Sequence, residues 1–430
     1  MVLNAMNSGV SGLMAEDQAI GVVGDNIANV NTTGFKSQRA IFQDVLGHSI
    51  LAGTSSALPG SGVRVGSVQQ MFTQGALSNT GVSTDLALSG DGFFTVKGAV
   101  NGLQGDFYTR AGNFNINKDG FVVNPQGLEL QGYTANADGT YQASVSSLKV
   151  PTSALPAHAT QNATITANLD ASSAVPTVAF DVTDPANTSN YSTAMTVYDS
   201  LGQAHDVDVY FAKTSAGNFD WHAVAKGDDL NPPQPGVNVE LGTGSLGFTT
   251  DGALNTVTGN TFTADFGGAT AGQVVTIDFG TPISAGGTGL DGTTQYASPS
   301  NVSSQSQDGY SSGDFSGIAV DGQGVVTGMY TNGQQLAIGQ LAIAKFRSND
   351  GLGRAGQNLW IETRESGAVA FGTASSGGRG AVSAGALEGS NVDLATEFVG
   401  LIQHQRSFSA NSKTITTADE MLQELISIKR

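Results

Sequence analysis

The sequence has no cysteine, which excludes disulfides, thiolate metal sites and a cysteine nucleophile. It is poor in charge. Asp, Glu, Lys and Arg make up 13% of its 430 residues, against roughly 25% in an ordinary globular domain. Basic residues are the scarcer kind, 18 Lys and Arg beside 36 Asp and Glu, for a net charge of −18. Such a chain lacks the basic face that a nucleic-acid partner requires. It has no apolar run long enough to span a bilayer, so no membrane insertion is expected. The first basic residue is Lys36, so the start lacks the positive region of a secretory signal. What is abundant is glycine, at 58 residues, about twice the usual ~7% share. With 39% hydrophobic residues the chain has enough apolar material for two or three domains.

The acidity is unevenly placed. Residues 150–344 carry 17 acidic side chains and two basic ones, Lys213 and Lys226, a net of −15. A break of that size marks an internal domain with its own surface. The Pro-bounded stretch 151–156 and the Ser/Gln run 297–313 read as its linkers. The expected order is therefore an inserted acidic domain at 151–299 inside a parent domain at 86–150 and 300–390. A connecting segment at 31–85 precedes the parent, and terminal helices at 1–30 and 391–430 enclose everything.

The two ends carry helical periodicity. Leu3, Met6, Val10, Leu13, Ile20 and Ile27 step by three, four or seven, despite Asp17 and Gly24 between them. Asn26, Asn29 and Asn31 followed by Gly34 read as a helix stop and turn. At the C-terminus Leu394, Phe398, Leu401, Phe408, Ile415, Leu422 and Ile426 occupy a heptad seam, with Gln405, Ser412 and Asp419 as polar register positions. Ser390 with Asp393 resembles a capping box, and Lys429 and Arg430 suit the negative end of the helix dipole. A helix over 391–428 would be ~57 Å long. Such a seam cannot be buried by one helix alone. The ends therefore pair within one monomer, or many copies pack their pairs together.

Between the ends the pattern is β. Asp-Gly and Asn-Gly turns at 91, 119, 138, 251, 291, 321 and 332 separate short runs such as 93–96, 195–198 and 207–210. No strand–helix alternation appears. The fold class expected is mainly β with long terminal α-helices. The helices form a coiled-coil-like inner domain, and two β-rich domains follow, the outer inserted into the inner.

Catalytic motifs fail on context. Gly242–Gly247 matches the dinucleotide glycine pattern, but a strand and a turn follow it rather than a helix. Gly309–Gly313 matches a nucleophile elbow and fails the same way. Of five histidines, His205 and His222 stand nearest to carboxylates. Asp206 and Asp208 would point to the opposite strand face from His205, so exposed strand residues are expected there rather than a metal site. Trp221 and Trp360 read as core or edge packing. No catalytic, cofactor-binding or metal residues are expected.

Asn26 to Lys36 resembles the N-terminal signature of the bacterial flagellar rod and hook protein family, through Asn26, Asn29, Asn31, Gly34 and Phe35. Asn391, Asp393, Gln405, Arg406, Asn411, Ala418 and Asp419 fall in runs similar to its C-terminal signature. Residues 86–94 and 196–202 resemble its β-domain motifs. The acidic insertion points to the hook branch, because rod members are shorter. The resemblance implies a structural subunit, not an enzyme. Its copies would polymerise into a flexible tube that transmits torque from the basal-body rod to the filament. Partners would be further copies, rod, hook-cap and hook–filament junction proteins, and the flagellar type III export apparatus. The location would be the extracellular hook, reached without a cleaved signal peptide. A distal rod protein and a secreted adhesin or pilus-like subunit are the alternatives.

Overall fold

The computed structural model describes residues 2–45, 62–136 and 139–428; His48, Asp138, Lys429 and Arg430 lie outside the described residues, and so does the side chain of Leu3. The chain divides into two compact units. The first comprises Met1–Thr152, Gly317–Met329 and Gln335–Arg430, and the second Ser153–Ser316 and Tyr330–Gln334.

In the first unit, helix α1 (Val2–Ala28) runs without a break through Asp17 and Gly24. Strands β1 (Gln38–Asp44) and β2 (Val63–Gln70) then pair antiparallel, with Gln38 opposite Gln70. The stretch expected to be only a connection thus holds a pair of strands, QRAIFQD and VRVGSVQQ. The core sheet runs antiparallel through Glu129–Ala135, Phe93–Val100, Leu103–Thr109, Leu359–Ile361 and Gly353–Gly356. Phe93, Tyr108, Phe346 and Trp360 pack together in its core, with Phe72 against them. Helix α2 (Leu394–Ile428) ends the chain. Its cap is Asp393, whose Oδ1 accepts the N–H groups of Ala395 (2.8 Å) and Thr396 (3.3 Å). Ser390 lies too far upstream to take that place, so a single Asp393 cap stands where the capping box was expected.

The second unit packs a four-stranded and a five-stranded sheet around one core, which includes Ile165, Val275 and Ile277 from one and Val207, Phe211 and Trp221 from the other. Strand alternation explains it: Val207, Val209 and Phe211 are buried, and the intervening positions face outward. The Ser/Gln run read as a linker supplies the strand Asn301–Gln307, paired antiparallel with Asn162–Asn168. The unit therefore extends to 316 rather than 299. Alternating Ser and Gln is the composition of an edge strand with one wet face, which resembles a linker when read alone.

The motifs that failed on context lie where the chain is extended. Gly242–Gly247 sits within the strand Asn238–Phe248. His205 corrects the expectation of an exposed strand residue. It is buried, its Nε2 lies 3.1 Å from Asp199 Oδ2, and its ring stacks on Phe266.

Candidate functional site

The residues singled out at the two ends come together on α1, α2 and the segment beneath them. The helices run antiparallel. Gly9 faces Ile415, Glu16 Oε2 lies 2.6 Å from His404 Nδ1, and Asn26 Nδ2 donates to Glu397 Oε1 at 3.0 Å. On the α1 side the helix–helix contact is made mostly of small residues. Gly9, Gly12, Ala15, Ala19, Val23 and Asn26 form the buried stripe of α1. A Cβ on Gly12 would sit 2.6 Å from Asn411 Nδ2, so the backbones are close because the side chain is missing. On α2 the covered positions include His404, Asn411, Ile415, Ala418 and Leu422.

The large apolar file expected to be the seam meets this contact only in part. Met6, Leu13, Ile20, Ile27, Leu401, Ile415 and Leu422 are half-buried, and Val10, Leu394 and Ile426 are exposed. Phe398 is 50% exposed and Phe408 38%. Met14, Val399, Ile402 and Met421, which the heptad count did not include, are exposed as well. The structure thus brings Ile415 against Gly9 of α1 and leaves Leu394, Phe398 and Phe408 uncovered on the flank.

The Asn-rich stop becomes a socket. Asn26 is fully buried; its Nδ2 donates to the Gln38 carbonyl (2.7 Å) and its Oδ1 accepts the Gln38 N–H (2.8 Å). Asn29 Nδ2 donates to the Asp25 carbonyl at 2.9 Å, while Asn31 is exposed. Gly34 has φ +67, and a Cβ there would lie 2.5 Å from the Ala111 nitrogen. That position requires glycine twice over, for its conformation and for its space. Phe35 is buried. Asn391 closes the socket from the other end of the chain: its Oδ1 accepts the Ser37 N–H (2.7 Å) and its Nδ2 donates to the Met71 carbonyl (2.7 Å). Gln405, Arg406 and Asp419 are exposed on α2; Asp419 Oδ2 accepts from Gln423 Nε2 at 2.9 Å.

Sequence reading missed the ionic centre of this socket. Glu388 is fully buried between two cations: Lys36 Nζ at 2.6 Å from Oε1 and Arg110 NH1 at 3.2 Å from Oε2. Lys36 also donates to the Thr73 carbonyl (2.7 Å), and the Gly75 N–H donates to Glu388 Oε1 (2.9 Å). Burial pushes the Lys36 ammonium below the ordinary lysine value; Glu388 works against that shift and Arg110 adds to it. Burial likewise pushes Glu397 up, with Asp393 adding to the rise, while Asn26 and His404 oppose it. No signal within a local window links Lys36 to a carboxylate 352 residues away.

Among the described residues no group of three or more His, Cys, Asp or Glu could hold a metal ion. No described helix is long and apolar enough to cross a membrane. What the site offers is a fixed helix pair with uncovered apolar flanks.

The comparisons with known proteins cover the whole chain. Residues 6–36 match the family model of the flagella basal body rod protein, and 87–168 the flagellar hook protein FlgE/F/G D1 domain. Residues 168–310 match the flagellar basal body protein FlaE D2 domain, and 383–428 the flagellar basal body rod FlgEFG protein C-terminal model. The chain is 36% identical over 430 residues to the flagellar hook protein FlgE of Salmonella typhimurium, covering 99% of this chain and 100% of that one. It is 34% identical over 475 residues to that of Treponema pallidum, with both chains fully covered. The crystal structure of Helicobacter pylori flagellar hook protein FlgE2 shares the fold at a TM-score of 0.51 and 16% identity, over 71% of this chain and 98% of that one.

Proposed function

The chain belongs to the flagellar hook protein family, and we propose that its copies polymerise through the uncovered flanks of the α1–α2 pair. It is a structural subunit of the bacterial flagellar hook, and the family is not one of enzymes. The observation that carries the polymer reading is the exposed file Leu394, Phe398, Ile402 and Phe408 on a helix whose inner face is already occupied. Exposed apolar patches of this kind mark interaction surfaces. A contact between unlike faces of identical copies builds a helical array rather than a closed dimer.

In this reading the helix pairs line the inside of a tube, and Met6, Leu13, Ile20 and Ile27 on α1 meet neighbours as the α2 residues do. The β-rich units would face outward, where polar, lightly charged surfaces can exchange between packings of similar energy as the hook bends. The tube transmits torque from the rod to the filament. Its ends would meet rod, hook-cap and hook–filament junction proteins. The chain would leave the cell unfolded through the flagellar type III export apparatus, with no cleaved signal peptide, a route with which the absence of cysteine is compatible.

Salt-induced assembly followed by sedimentation tests the polymer reading. The wild-type protein should pellet as polymer. Phe398→Asn should remain soluble with an unchanged circular dichroism spectrum, because the side chain is half-exposed in the single chain. Pelleting of Phe398→Asn at the wild-type critical concentration would reject this flank as the contact.

A further inference from the structure

The helix pair leaves the outward face of each helix uncovered. On α1 that face carries Val10, Met14, Asp17, Gly21 and Gly24, and on α2 it carries Val399, Ile402, Arg406 and Lys413, all exposed. Steps of three and four place each set on one stripe. Met14 and Val399 are each 65% exposed, and Ile402 51%. The glycines distinguish the two sides of α1. Gly9 and Gly12 make room for α2, whereas a Cβ on Gly21 or Gly24 would meet nothing within 4 Å. Glycine inside a helix costs stability, and its use is to let another chain approach the backbone closely. Beside Gly21, a groove of about 520 Å³ runs between α1 and β2, lined also by Val22, Val65 and Val68.

The two stripes are complementary in shape and in charge. Within the chain Gly12 faces Asn411, and Asn26 faces Glu397. The same antiparallel register, carried to the outward stripes, sets Gly21 opposite Ile402, Gly24 opposite Val399 and Asp17 opposite Arg406. Two large exposed side chains then meet the two open glycine positions. Asp17 is the one charge on its stripe, and it meets a cation; Asp25, at the edge of that face, already accepts from Gln38. Among the described residues neither the Asp17 carboxylate nor the Arg406 guanidinium has a hydrogen-bond or ion-pair partner. Each stripe lies on the side of its helix away from the inner contact, so the two cannot meet within one chain.

We propose that the α1 stripe of one copy receives the α2 stripe of a second copy in this register, with Ile402 and Val399 over Gly21 and Gly24 and with Asp17 paired to Arg406. This contact rests on the polymer reading and supplies the surface that the α2 flank meets. The stripes lie on opposite sides of the helix pair, so each copy can use both at once. The contact therefore propagates from copy to copy and does not close on a dimer.

The chain has no cysteine, so single cysteines placed on the two stripes report the contact directly. Full-length Gly24→Cys and Val399→Cys are mixed, assembled, oxidised and separated on a non-reducing gel. A mixture of Gly24→Cys with Gln405→Cys is the control, because Gln405 lies ~9 Å further along α2 than Val399, beyond the reach of a disulfide. The first mixture should give at least about five times the cross-linked dimer of the control. Equal yields would overturn the register. The ionic pair is tested by Asp17→Arg and Arg406→Asp at the lowest salt that supports assembly, because salt screens it. Each should raise the critical concentration about three- to tenfold, and the double variant should recover most of that loss. A double variant no better than the worse single one would overturn the pairing. All these positions are exposed, so the circular dichroism of each monomer should match the wild type. Sedimentation of the wild type is scored first. Its failure to assemble would overturn the polymer reading, whereas wild-type assembly without the cross-link would overturn this contact alone.

Discussion

At the scale of single residues, the molecule depends on groups that local patterns do not reveal. Glu388 holds Lys36 and Arg110 in the buried interior of the first unit. Removing the charge from one member of such a buried group leaves the others uncompensated, at a cost of about 3–5 kcal/mol. Glu388→Gln should lower the unfolding free energy of the first unit, from urea denaturation, by that amount and leave the second unit's transition in place. Asp308 provides a pH test in the second unit. Burial works to raise its pKa, but bonds from Asn162 and Gln161 outweigh this and hold it below the ordinary aspartate value. A carboxylate whose folded-state pKa is lowered stabilises above its unfolded value, and that stability is lost as pH falls through the folded one. The second unit should therefore lose stability as pH drops below about 4. Asp308→Asn should flatten that part of the profile, measured by denaturation at a series of pH values. Neither group could be found from sequence, because Glu388 and Lys36, like Asp308 and Asn162, meet only through tertiary structure.

At the scale of elements, the helices were legible and their contact face was not. The three–four spacing of Leu, Ile and Phe marks both helices, and α1 and α2 occupy nearly the expected spans. Hydrophobic periodicity gives weight to large side chains, so it selected the flank. The α1 side of the contact is mostly glycine and alanine, which score low and matter because they let backbones approach. This difference separates two kinds of mutation. Ala19 is 1% exposed on the inner stripe, and Ala19→Leu should overfill it at a cost of about 1–3 kcal/mol. Faster hydrogen exchange of α1 amides in the monomer is the expected sign. Phe408→Ala removes a side chain that the single chain leaves partly exposed. It should leave monomer melting within about 0.5 kcal/mol of wild type. It should also raise the critical concentration for assembly about tenfold, because the apolar area that a neighbour would cover is gone. Phe408→Leu should be milder. Equal critical concentrations for wild type and Phe408→Ala would place that side chain outside the contact. The Ser/Gln strand at 301–307 shows the same limit in β-structure, since an edge strand with polar side chains announces itself only through its partner at 162–168.

At the scale of the whole molecule, the acidic stretch and the second compact unit overlap along the chain. Most of the net negative charge falls between 150 and 344, and the second unit takes up 153–316 with a short return at 330–334. Each unit has its own apolar core. Deleting 153–316 and joining the ends with a short flexible linker should leave the first unit folded, with its melting temperature within about 5 °C of its transition in the intact chain. Loss of that transition would mean that the first unit depends on the second for folding. The central claim is that this hook subunit assembles through the flanks of a helix pair fixed within each chain. Helical reconstruction by electron cryo-microscopy of tubes assembled from the full-length protein tests it most directly. The expected result is α1–α2 pairs lining the inner wall, with Leu394, Phe398 and Phe408 within about 4.5 Å of side chains from an adjacent copy. Tubes in which those three side chains face solvent, with neighbouring copies joined only through their β-rich units, would contradict it.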